Sequence, residues 1–273
     1  MGHTSRITSV KSDRVVAVRA LRTRPGRRKA ARFAVEGPQA VRSAVAAGVL
    51  IHDLYVDEDT GGIFSDVIES VLAAGGQVAW TTSAVMAALS ETDTPQGVIA
   101  VCDTGYGGSL DELMAAAGPV VVLEAVSDPG NVGTIIRTSD AVGAAGVVLT
   151  PDCADVHNGK VVRSTAGSLF HLPVVSGVSV DDVAAAARAA GRPIVATSGD
   201  AGADLFEAAA AGQVDARTCW IIGSEAHGIS SSARSASDLI VAIPMSGRAE
   251  SLNAAVAASV VLYVTAFTSR LGR

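Results

Sequence analysis

The chain has 273 residues, of which 49% are hydrophobic and only 4% aromatic, and it carries a formal net charge of -6. That length accommodates two domains with cores of their own, and apolar mass drawn mostly from Ala and Val suits parallel sheets flanked by small-residue helices. Cys102, Cys153 and Cys219 lie far apart without C-x-x-C spacing, which argues against a zinc centre or a disulfide framework and fits a reducing cytoplasm.

The N-terminus lacks the apolar core of a signal peptide. Its charge is distinctive: residues 1–32 hold ten of the 21 Lys and Arg against one acid, Asp13, so the local net is 10 - 1 = +9 and the remainder is 11 - 26 = -15. A basic N-terminal arm on an acidic body is an arrangement for a polyanionic partner, with Arg22, Arg27 and Arg28 as candidate contacts. A merely solvated tail is the alternative.

After the arm, "RFAVEGPQAVRSAVAAGVLIHDLYVDED" reads as a strand, a helix over Pro38–Ala47 and a strand over Ile51–Val56. Helix, strand, helix and strand follow to Asp103, giving a small α/β domain over 33–103. The glycines of residues 104–118 read as a linker. A second domain, 119–273, opens with the strand Val120–Glu124 and alternates again: a helix to Ala141, strand Gly146–Thr150, a helix around His157–Gly167, a helix over Val180–Ala190, strand Ile194–Thr197, and strands in "TCWIIGSE" and "LIVAIPM". Five or six parallel strands with intervening helices predict a doubly wound sheet, whose ligands bind beyond the carboxyl ends of the strands. The uncharged segment Asn253–Ser269 is 17 residues long and rich in Ala, Ser and Thr. It falls short of the roughly 20 apolar residues of a membrane span and reads as a buried helix.

The turn after Val120–Glu124, "EAVSDPGNVGTIIRTSDAVGA", has the setting of a nucleotide loop but not its glycines. Gly130 and Gly133 fit neither G-x-G-x-x-G nor G-x-x-x-x-G-K-[ST], so neither a dinucleotide fingerprint nor a phosphate loop is present. The turn instead presents Asn131 at a helix start, a place suited to a phosphate or ribose oxygen, and Arg137 about 1.7 turns further on.

In order and spacing, "SDPGNVGTIIRTSDAVGA", "VVRSTAGSLFHLPV" and "IIGSEAHGIS" followed by "VAIPMSGRAESLNAAVAASVVLY" resemble the signature motifs of the SpoU (TrmH-like) RNA ribose 2′-O-methyltransferases. The resemblance covers residues 119–270. It implies a trefoil-knotted parallel-sheet domain of the SPOUT class, an S-adenosylmethionine cofactor held at the knot, and a homodimer. "FAVEGPQAVRSAV" is similar to the opening of the substrate-binding domain found in ribosomal-RNA members, implying a small α/β RNA-binding domain ahead of the catalytic one. Ribosomal RNA of the 23S type is thus the expected substrate. Transfer RNA, or a catalytically silent RNA-binding role in ribosome assembly, are the alternatives.

By this resemblance Arg137 is the catalytic arginine, with Asn131, Glu225 and Asn253 beside it. Arginine stays protonated in proteins, so its expected part is to grip the target phosphate or ribose while Glu225 or a substrate phosphate takes the proton. A structural ion pair with Asp128 or Glu225 is the other reading of Arg137. The turns that end strands in the third motif imply the cofactor site: Gly223, Ile243, Met245 and Leu252, joined by Thr197 at the end of strand Ile194–Thr197, with Gly223 expected to let the ligand approach the main chain. Ser251 is a candidate helix cap. Lys160, Arg163 and Ser164 of the second motif are expected to face RNA, although a solvated helix face explains their charges equally. Ala226 and His227 stand where many members carry glycine, and Thr165 where alanine is usual. No histidine pair has metal-ligand spacing, so no metal is expected, and no membrane partner.

Overall fold

In a computed structural model of the chain, the structure describes residues 4–105, 107–224 and 226–271, with side chains as far as residue 268. Contacts divide it into two compact units, residues 1–106 with 155–171, and residues 107–154 with 172–273.

The first unit runs β1 (Thr4–Ile7), α1 (Asp13–Ala20), α2 (Arg24–Ala30), β2 (Arg32–Glu36), α3 (Pro38–Ala46), β3 (Ile51–Asp57), α4 (Ser65–Ala73), β4 (Gln77–Thr81), α5 (Ser83–Leu89) and β5 (Val98–Asp103). Its five-stranded sheet has the order β1-β4-β3-β5-β2; β1 and β3 lie parallel to β4, while β5 is antiparallel to β3 and β2. The stretch expected as a basic arm is folded into this sheet. Between its charges it carries Val15, Val18 and Leu21 at three-residue spacing, and these bury with Ile7, Val85, Met86 and Tyr55 in one core. Thr23 caps α2 by accepting the Gly26 N–H, with Pro25 in the first turn, and Ala31 ends it in the left-handed region at φ 51°.

The second unit begins with α6 (Leu110–Ala115), β6 (Val120–Leu123), α7 (Pro129–Val142) and β7 (Gly146–Leu149). The chain next gives α8 (Gly159–Ser164) to the first unit. There Val161 and Val162 are buried, and His157 and Phe170 lie 4.4 and 6.3 Å from the Phe33 ring on β2. The second-motif helix, expected within 119–273, thus packs with the N-terminal unit because its apolar face is matched there.

The second unit continues with β8 (Val174–Ser176), α9 (Val180–Ala189), β9 (Ile194–Thr197), β10 (Ala203–Asp204), α10 (Leu205–Ala210), β11 (Cys219–Ile222), α11 (Ser231–Ala236), β12 (Leu239–Ala242) and α12 (Ala254–Leu271). Its seven-stranded sheet has the order β10-β12-β9-β11-β6-β7-β8, with every pairing parallel. The strand beyond the expected five or six is the two-residue β10. On one face Val120, Val122, Val148, Ile194 and Ile221 pack under α6, α9 and α11. On the other, Trp220 donates its indole N–H to Thr265 of α12 at 3.0 Å, and α12 packs against α7 and α10. With helices on both faces, β11 is buried on both sides and reads as an unbroken apolar run.

Arg192, just ahead of β9, is 3% exposed. Its guanidinium donates to the carbonyls of Met114 (2.7 Å), Gly118 (2.9 Å), Arg217 (3.0 Å) and Ala116, closing the end of the sheet opposite the polar motifs. Among the described residues no helix is long and apolar enough to cross a membrane. The segment from Asn253 forms α12 and buries Ala254, Ala258, Val261 and Leu262.

Candidate active site

The chain runs through β9, β11 and β12 and turns back at their carboxyl ends, and those turns enclose a half-open cleft of about 180 Å³. Thr197, Gly223, Ile243, Met245 and Leu252, the residues expected around the cofactor, all line it. Ser198, Gly199, Ser224, Gly228 and Glu250 line it too and escaped the sequence reading. A serine-glycine pair directly after β9 was the available signal for two of them.

Gly223 is also required by the fold of its own loop. A side chain there would meet the loop's own backbone, with Gly228 C and O at 2.3 Å and Ile229 N at 2.6 Å. The loop folds back through the Gly228 N–H to Ser224 O bond of 2.8 Å, with Gly228 at φ +62°. The tight loop therefore requires glycine at this position, while its main chain lines the cleft. Gly199, by contrast, faces open space, its nearest neighbour being Glu250 O at 3.9 Å from where a Cβ would stand.

The polar groups of the first motif reach the cleft through α12. Asn253 caps that helix: its Oδ1 accepts the N–H groups of Ala255 (2.9 Å) and Val256 (3.3 Å). This fixes the amide's orientation, so Nδ2 is left to donate to Asn131 Oδ1 at 3.0 Å. Since Leu252 and Ala254 both line the cleft, the two asparagines stand at its rim. Ser251 lines the cleft as well and leaves the capping to Asn253. Asp128 caps α7 and accepts the Asn131 N–H at 2.9 Å, so that donor is not open to a ligand as expected. Arg137 is exposed on α7, and among the described residues no hydrogen bond or ion pair engages it. The alternative of a pair with Asp128 is thereby removed. Glu225, the expected proton acceptor, lies outside the described residues.

Several cations expected to meet RNA are committed within the first unit. Arg27 is 4% exposed; its Nε and Nη2 donate to Asp155 Oδ2 at 3.0 and 2.5 Å, and Nη1 to the carbonyls of Leu21 and Arg22. Arg22 donates to the carbonyls of Ala88, Leu89 and Ser90, closing the end of α5. Arg27 is structural, corrected from an RNA contact because its fork is spent, whereas Arg22 commits Nη2 to these carbonyls while its buried Nε has no hydrogen-bond partner among the described residues. Arg163 turns its Nη1 to Glu91 at 3.0 Å and Glu36 at 3.7 Å. Ser164 donates its hydroxyl to the Lys160 carbonyl at 2.8 Å. Lys160 and Arg28 are exposed.

The thiols are inert. Burial pushes Cys219 up to about 12, eased slightly by Arg192, and burial raises Cys102 and Cys153 as well. No nucleophilic thiolate is available near neutral pH. Among the described residues no cluster of potential metal ligands occurs.

A parallel sheet wound on both faces, with a ligand cleft of strand-end turns and an amide pair at its rim, defines an α/β enzyme of the cofactor-binding kind. Residues 118–263 match the SpoU rRNA Methylase family and residues 12–100 the MRM3-like substrate binding domain. The chain belongs to the SpoU family. It is 35% identical over 260 residues to the 23S rRNA (guanosine(2553)-2′-O)-methyltransferase RlmP of Bacillus subtilis, covering 94% of this chain and 97% of that one. The AdoMet-bound rRNA methyltransferase from Sinorhizobium meliloti superposes with a TM-score of 0.86 at 29% identity, over 96% of this chain and 97% of that one. The AdoMet complex of the SpoU methyltransferase AviRb from Streptomyces viridochromogenes gives 0.81 at 33%, over 96% and 99%.

Proposed function

We propose that the chain transfers a methyl group from S-adenosylmethionine to the 2′-hydroxyl of a ribose in 23S ribosomal RNA. The observation that carries this reading is the placement of the Asn131–Asn253 amide pair at the rim of the strand-end cleft. The cleft's composition suits the cofactor: Ile222, Val241, Ile243 and Leu252 offer apolar contacts for an adenine, and the turns at 197–199 and 223–224 offer main-chain groups for its edges. When bound there, S-adenosylmethionine supplies an electrophilic methyl carbon on a positively charged sulfur.

The chain's own residues then have to hold the ribose oxygen in line and let its proton leave. Proximity and orientation of this kind account for about 7–11 kcal/mol of a barrier. Asn253, held by its capping bonds, and Asn131, held by Asn253, are rigid enough to orient a ribose. Arg137 is exposed and, among the described residues, unengaged, so it serves as an electrostatic clamp on the ribose-phosphate that favours the alkoxide. Glu225 or a substrate phosphate accepts the proton. The consecutive turns around one cleft support the trefoil-knotted course expected for residues 119–273.

On the first unit Lys11, Arg19, Arg24, Arg28 and Lys29 are exposed and, among the described residues, unpaired. They support the reading of this unit as the RNA-binding part, with Lys160 as a further contact. On α12 the large exposed side chains Val256, Tyr263 and Phe267 recur at 7- and 4-residue steps, along one helix face. They support a homodimer, against which a monomer by sedimentation at micromolar concentration would count. An RNA substrate together with buried free thiols supports a cytoplasmic site of action.

The test is incubation of the purified chain with labelled S-adenosylmethionine and unmodified 23S ribosomal RNA, followed by mapping of ribose methylation. A single 2′-O-methylated nucleotide is expected. Label appearing on a base, or in transfer RNA alone, would overturn the reading.

A further inference from the structure

Glu124 directly follows β6, is 8% exposed, and belongs to none of the roles assigned so far. Its backbone N–H continues the ladder to Ile222 O at 2.9 Å. Its carboxylate crosses to the far end of the loop that leaves β11: Oε2 accepts the Ser230 N–H at 2.9 Å and Oε1 accepts the Ser230 hydroxyl at 2.6 Å. Ser230 in turn caps α11 by accepting the Ala233 N–H at 3.1 Å. Between these anchors lies the loop of Ser224 and Gly228, both of which line the cleft. Ile229, 5% exposed, buries beside Ala233.

No lysine, arginine or histidine pairs with Glu124 among the described residues. A buried carboxylate without a counter-ion is costly, and the geometry shows what requires it. Two donors, an N–H and an O–H, converge on the two oxygens, while the Ser230 oxygen faces the Ala233 N–H. An amide could keep the Ser230 N–H bond through its oxygen only by turning its NH₂ to the hydroxyl, which would reverse that hydrogen bond and exchange two charge-assisted bonds for neutral ones. Aspartate would stop one methylene short.

We infer that Glu124 is a positioning residue which, by clamping Ser230, holds the Gly228–Ser230 side of the cleft in the shape that receives the cofactor. It takes no part in proton transfer, since both oxygens are engaged. The inference rests on the proposed cofactor cleft, and its test separates the two. Calorimetry with S-adenosylmethionine is run on the wild type, Glu124→Gln, Ser230→Ala and the double variant, alongside amide hydrogen exchange of the loop without cofactor. Wild-type binding with about tenfold weaker binding in Glu124→Gln is expected, the size of one charge-assisted hydrogen bond. Loop amides should exchange faster, KM for the cofactor should rise more than kcat falls, and the double variant should be no worse than the worse single one.

Failure of the wild type to bind would defeat the cofactor cleft itself. Wild-type binding with unchanged affinity and loop exchange in Glu124→Gln would defeat only the role of Glu124. Should Glu124→Gln unfold, Ser230→Ala and Ser230→Gly decide together, because both remove the hydroxyl from Glu124 while glycine weakens the α11 cap only slightly: weaker binding with a faster loop in both supports the clamp, and wild-type binding in both refutes it.

Discussion

Arg27→Met distinguishes a structural arginine from an RNA-binding one. The substitution keeps the aliphatic stem but removes a fork that makes two bonds to Asp155 and two to main-chain carbonyls. Removing one member of a buried ion pair costs about 3–5 kcal/mol because the partner is left uncompensated. Asp155 keeps 20% side-chain exposure, so water recovers part of that loss and about 2–4 kcal/mol is expected. For a unit of this size the loss corresponds to a Tm drop of roughly 8–15 °C. Differential scanning calorimetry should show the shift in the transition of the N-terminal unit. Affinity for RNA, measured well below the new Tm, should stay within about twofold of the wild type, since a buried fork makes no phosphate contact. A variant that melts normally yet loses RNA affinity would refute this reasoning and return Arg27 to the binding surface.

Arg137→Ala should do the reverse. An exposed, unpaired side chain contributes within about 0.5 kcal/mol to stability, whereas loss of a transition-state donor lowers kcat by about 10²–10³-fold; unchanged methylation would remove the clamp. Acid should weaken the first unit through His157. Burial holds its imidazole below the ordinary value, with Asp155 pulling it up and Arg27 pushing it further down. The unfolded chain therefore binds the proton more readily, and stability present above about pH 6.5 is lost as pH falls through the folded pKa. His157→Gln should flatten the Tm profile between about pH 5 and 7, and an unaltered profile would refute the assignment. Asp155 adds a separate loss at lower pH. Burial raises its carboxyl most, but the Arg27 bonds and the His157 N–H together outweigh this and hold it below the usual range, so its contribution goes only below about pH 3.9. Neutralising Arg19, Arg24, Arg28 and Lys29 together should reduce the slope of log affinity for RNA against log salt by about 0.7–0.9 per lost phosphate contact. An unchanged slope would move the RNA elsewhere.

The alternation of strands and helices was legible because each core strand is an apolar run bounded by turn residues, as in "VVVL" and "CWII". The cleft was legible for the same reason: its walls are strand ends, and Thr197, Gly223 and Ile243 sit where those runs stop. What a side chain does once placed was not legible, because its partner comes from far along the chain. Asn131 meets Asn253 across 122 positions, and Arg27 meets Asp155 across 128. Glu124, read as the last letter of a strand, gains its role from Ser230, 106 positions away.

The same limit governs the charge of the N-terminal stretch. Counting residues gave ten cations in 1–32, but a cation is open to a phosphate only if no carboxylate or carbonyl has already claimed it. Arg6 and Arg14 pair with Glu58 and Asp53, Arg22 turns Nη2 onto main-chain carbonyls, Arg27 is spent on carbonyls and Asp155, and Arg32 is half-buried. The remaining five bound the electrostatic footprint of this segment at about half of what composition promised, so its salt dependence should saturate near a slope of about 4 rather than about 8. The inward arginines fix the α1–α2 hairpin against the sheet, and by doing so they leave Lys11, Arg19, Arg24, Arg28 and Lys29 facing outward. The sequence property that looked like a binding arm is thus two physical devices sharing one segment, and only packing separates them.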